Sequence, residues 1–155
     1  MTFSRRYFLT LTAALPIVAF ASSQAVAQDA IPIYAEDGIA IDGTDAVAYF
    51  TEGAPVAGSA EHSFDWQGAT WQFSSAENRD TFAADPTAYA PQYGGYCAYA
   101  IADSGALVST TPEAWSIVDG KLYLNYSNRI QRRWERDIAG YIAAGDAKWP
   151  EIIAE

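Results

Sequence analysis

The chain has 155 residues, half of them hydrophobic, and carries 19 acidic residues against nine Lys and Arg, a net charge of −10. This composition excludes a disordered polypeptide, and the charge argues against binding nucleic acid or anionic lipid. A single Cys and a single His exclude an internal disulfide and any metal site built from those two residue types alone.

In chain order, residues 1–27 have the form of an export signal. Arg5-Arg6 precedes an apolar run from Phe8 to Phe20, and Ala25-Val26-Ala27 supplies a small-residue cleavage site. The pattern resembles the twin-arginine signal, which in bacteria directs proteins that fold before they cross the inner membrane. It predicts a periplasmic protein with no stable membrane insertion after cleavage, because the apolar run is short of the ~20 residues of a membrane span. Cleavage after Ala27 leaves 128 residues, a suitable length for one domain. Losing Arg5 and Arg6 leaves seven basic residues and a net charge of −12.

Residues 28–36 read as an extended arm. Ile39-Ala40-Ile41 is a short strand entering the turn Asp42-Gly43-Thr44, and Gly53–Gly58 is loop. Alternation of His62, Phe64 and Trp66, the turn Gln67-Gly68, and the return through Trp71 and Phe73 predict a hairpin with His62 on the aromatic face. Ser74 with Glu77 has the spacing of a capping box, with Ser75 as the alternative cap, for a helix to about Ala84 with Phe82 turned inward. Asp85-Pro86 stops and restarts it. Gly94-Gly95 turns into a short buried helix through Cys97.

Trp115–Val118, Asp119-Gly120 and Leu122–Tyr126 predict a second hairpin. Ser127 caps a longer C-terminal helix, with Ile130, Trp134, Ile138, Tyr141 and Ile142 on its inner face and Arg129, Arg132, Arg133, Arg136 and Asp137 outside. The predicted fold class is therefore α+β: one small domain with two hairpins packed on a short helix and a longer C-terminal helix.

Asp45-Ala46-Val47-Ala48-Tyr49, Glu61-His62-Ser63, Trp66-Gln67-Gly68-Ala69-Thr70-Trp71-Gln72-Phe73-Ser74-Ser75 and Asp85-Pro86-Thr87-Ala88-Tyr89 follow one another in an order that resembles the YHS domain. That family is named for a Tyr-His-Ser triplet on a strand before an aromatic hairpin and a short helix. The resemblance covers about residues 40–90 of a domain spanning 28–155. The stretch Tyr89–Cys97 and the tail through Trp149-Pro150 look like its longer, exported branch. Smaller YHS modules carry cysteines suited to soft metals such as copper. At the matching positions this chain has Ala48, Ser74 and, near the third, Asn78 or Arg79, and the triplet stands as Glu61-His62-Ser63.

The resemblance implies metal handling outside the cytoplasm without catalysis, with copper before zinc as the ion. Imidazole and thiolate suit either metal, which makes His62 and Cys97 the candidate ligands and Asp45 a third. The alternative is a metal-free accessory module for a protein or small ligand, with Cys97 buried and inert and with Tyr89, Tyr93, Tyr96 and Tyr99 or the basic strip of the last helix as its surface. A third reading makes Cys97 an enzymatic nucleophile, which requires a lowered thiol pKa.

Overall fold

The computed structural model describes residues 30–155. The predicted export signal and its expected cleavage site lie outside the described residues.

Both hairpins form where the turn chemistry places them. Strands β3 (Ser59–Trp66) and β4 (Ala69–Phe73) pair antiparallel around Gln67-Gly68, whose φ values of 53° and 76° are the left-handed pair of a tight hairpin turn. The short strands β1 (Ala35–Glu36) and β2 (Ile39–Ala40) extend this sheet, with β2 parallel to β4, in the order β1-β2-β4-β3. Strands β5 (Trp115–Val118) and β6 (Lys121–Leu124) form a separate two-stranded sheet around Asp119-Gly120. The fold is α+β, as predicted.

Helix α1 (Ala48–Thr51) follows Asp45. Helix α2 spans Ala76–Ala84, and Asp85 caps α3 (Pro86–Tyr89) through the Ala88 N–H. Helix α4 (Ala98–Ser104) starts at Cys97 and ends on the left-handed Gly105. The C-terminal helix begins as predicted, with the Ser127 hydroxyl accepting from the Ile130 N–H, but it is not continuous. Its first part, α5 (Asn128–Trp134), passes through a 3₁₀ turn to Asp137, whose non-helical backbone (φ −150°, ψ 65°) breaks the helix and whose carboxylate caps a second part, α6 (Ile138–Ile152). Among the described residues no helix is long and apolar enough to cross a membrane.

Two apolar clusters share one wall. Phe82 of α2 sits in the first with no exposed surface, ringed by Phe64, Trp66, Trp71 and Phe73 at centroid distances of 5.0–6.2 Å. Such tilted and edge-on pairs are the favoured aromatic geometry. The second cluster joins Tyr93, Ile101, Tyr123 and Trp134 beneath α6. Strand β6 divides them: Leu122 and Leu124 face the first, Tyr123 the second, and all three are buried. Alternation on one short strand thus ties the sheet half to the helical half.

Candidate functional site

The three sequence-marked donors occupy different settings. Asp45 is wholly buried and its carboxylate accepts five hydrogen bonds. Oδ1 takes the N–H groups of Val47 at 2.9 Å and Ala48 at 3.1 Å, capping the turn into α1. Oδ2 takes the Ser74 N–H at 2.8 Å, the Ser74 hydroxyl at 2.7 Å and the Asn78 side-chain amide at 2.8 Å. Ser74 is consequently not the cap of α2. Ser75 is, accepting from the Asn78 N–H at 3.1 Å. A carboxylate so fully donated to is a structural pin, and both of its oxygens are already engaged.

Cys97 is 1% exposed. Its Sγ lies 3.6 Å from Asn125 Oδ1 and accepts from the Tyr126 N–H at 3.3 Å. Burial pushes the thiol pKa up, outweighing the backbone N–H groups of Ala100, Tyr126 and Tyr99, which act in the opposite direction. A nucleophile needs the reverse shift. Asn125 is equally buried. Its Oδ1 also accepts from the Tyr99 N–H at 3.1 Å, and its side-chain N–H₂ has no partner. Because a backbone N–H fixes which end of the amide faces α4, rotating the amide does not satisfy the orphaned donor.

His62 is half-buried on β3 beside Phe64 and Trp66 on the expected face. It lies in a bulge, since Ser59 pairs with Phe73 and Ser63 with the adjacent Gln72. It takes part in neither the Asp45 nor the Cys97 network. Among the described residues no three His, Cys, Asp or Glu side chains converge as a group that would hold a metal ion. The donors at Asp45 and Cys97 are turned to internal partners, so this set does not fit a shared ion.

The tyrosine-rich stretch packs inward. Tyr89 meets Phe50, Tyr96 meets Tyr34 and Tyr99 meets Tyr141, at 5.2–5.9 Å between centroids. Tyr93 donates to Asp146 Oδ1 at 2.9 Å, and burial together with that carboxylate drives its pKa far up. The basic strip is different. Arg129, Arg132, Arg133 and Arg136 are exposed along α5 and the turn after it, and among the described residues the one ion pair is Arg79–Asp80.

Asn125 was not connected to these centres by sequence reasoning, and Ser74 and Asn78, though singled out in the sequence, were not expected to bond to Asp45. Ser74 carried an ambiguous signal, as one of two adjacent serines able to cap a helix. Asn125 carried none beyond being a polar residue at the end of an apolar strand. Comparison with protein-family models, curated proteins and solved structures finds no match for this chain.

Proposed function

We propose that this protein is a YHS-like, non-catalytic binding module that works without a bound metal, exported by the twin-arginine route to the periplasm. One observation carries the reading: two of the three candidate donors are closed from within. Both Asp45 oxygens accept internal donors, and Cys97 is buried with its thiol held protonated. The test is made on the exported, processed chain. Native protein should leave Cys97 unreactive toward a thiol reagent until it is unfolded, and should carry no stoichiometric copper or zinc.

Copper or zinc handling is the second reading. It is supported by His62, which stands half-exposed on a strand bulge, a feature that commonly re-aims a side chain beside a site. About one metal ion per chain, lost in both His62→Ala and Cys97→Ala, would overturn the metal-free reading in its favour.

A further inference from the structure

Four of the seven basic residues left after signal cleavage lie within the eight residues Arg129–Arg136. Arg129 and Arg133 stand one turn apart on α5, and Arg136 follows on the 3₁₀ turn. With Ile130 they line a recess of about 270 Å³. Like charges one turn apart are mutually unfavourable, yet among the described residues no carboxylate forms an ion pair with them. The two acidic residues closest in sequence are engaged elsewhere: Glu135 accepts from the Ser116 hydroxyl at 3.2 Å, and Asp137 accepts from the Gly140 N–H at 3.0 Å. The Arg133 guanidinium is held over the Tyr99 ring, 5.1 Å from its centroid, and Tyr99 in turn packs on Tyr141. Stacking of this kind orients a guanidinium and leaves its N–H edge open. The helix below is anchored by the wholly buried Trp134 and the Ser127 cap.

We infer that this recess binds a small, multiply charged oxyanion, either a di- or tricarboxylate or a phosphate. Planar guanidinium forks match the paired oxygens of both groups. Size and charge favour a compact ligand over an acidic macromolecule. A polyanion would extend its charge across the surface of a chain carrying a net −12, whereas a small ligand keeps its charge within the recess lined by the three guanidinium groups.

The assignment rests on the binding-module reading, and the two fail separately. Thiol and metal assays test that reading, and anion titration tests this one. Calorimetric titration of the processed chain at low ionic strength would use citrate, succinate and inorganic phosphate as probes, with a polyglutamate peptide as the macromolecular arm. The expected result is one-to-one saturable binding of citrate or of phosphate, the stronger arm identifying the source. Arg129→Gln, Arg133→Gln and Arg136→Gln should each weaken it about tenfold, and Lys121→Gln should not. Circular dichroism confirms that each variant is folded. No saturable binding of any small probe up to about 1 mM would overturn the assignment. So would equal weakening by Lys121→Gln, or binding of the peptide alone.

Discussion

Asp45→Asn tests whether the buried carboxylate pins the fold. The substitution keeps shape and volume but puts an N–H₂ group where an acceptor stood. Turned toward the Oδ2 side, that group takes the acceptor from the Ser74 N–H, which is fixed to the backbone. Turned toward Oδ1, it takes the acceptor from both the Val47 and Ala48 N–H groups. Either way at least one buried donor is orphaned, at about 1–3 kcal/mol, and the surviving bonds lose their charge assistance. Relief from burying a charge offsets part of this, leaving a net loss of about 3 kcal/mol, or roughly 10 °C in melting temperature for a domain of this size. Asn78→Ala removes a single donor and leaves the carboxylate four partners, so it should cost about 1 kcal/mol. Urea denaturation of both variants reads the difference directly. The reasoning fails if Asp45→Asn lies within about 0.5 kcal/mol of wild type, or if Asn78→Ala costs as much as Asp45→Asn.

The raised Cys97 pKa makes stability fall with alkali: above the ordinary thiol range of about 8.5 the unfolded thiol ionises while the folded one does not, so the unfolded state binds fewer protons. That contribution is fully present below the unfolded pKa and is lost as pH rises through the folded value. Cys97→Ala should flatten the decline that begins near pH 9, whereas the Tyr34 phenol, pushed up to about 12 mainly by burial, and the buried Tyr49 and Tyr93 keep the loss above pH 10; urea midpoints measured from pH 7 to 11 check both segments. Gly94→Ala would place a Cβ 1.9 Å from the Pro32 carbonyl oxygen at a φ of +63°, so the N-terminal arm should detach, read as fast hydrogen exchange at the Tyr34 N–H that donates to the Gly94 carbonyl. Lys148 Nζ donates to the carbonyls of Ala102 at 2.7 Å and Asp103 at 2.9 Å. Lys148→Met should therefore cost about 1–2 kcal/mol, seen as a lower urea midpoint.

Local chemistry was readable from the chain; long-range pairing was not. Gln67-Gly68 and Asp119-Gly120 announce both hairpins because the left-handed φ values at 53°, 76°, 50° and 74° suit few other residue pairs. Asp85-Pro86 marks the break between α2 and α3 for an equally local reason. The choice between Ser74 and Ser75 as the cap depends on a carboxylate 29 residues away, which no window around the serines contains. The same holds for Asn125, 28 residues from Cys97. Helix α1 forms in an apolar, aromatic stretch because Asp45 accepts from the N–H groups at its entry. The apolar spacing of Ile130, Trp134, Ile138 and Ile142 runs straight across the interruption at Asp137, so periodicity predicts one helix where capping chemistry makes two.

That interruption decides how the C-terminus comes apart. A helix unwinds one residue at a time, and each step removes support from the neighbouring turn. Here the zipper has a stop. The amides that start α6 are held by Asp137, while α5 has its own start at Ser127 and is plugged into the core by Trp134. Unwinding of α6 toward its start therefore meets an independent cap at Asp137, while Tyr99, Tyr93 and Ala102 hold α6 along its length through Tyr141, Trp149 and Lys148. Local opening of α6 would leave Arg129 and Arg133 on a helix with its own cap and core anchor, but would take Tyr141 away from the Tyr99 ring over which the Arg133 guanidinium lies.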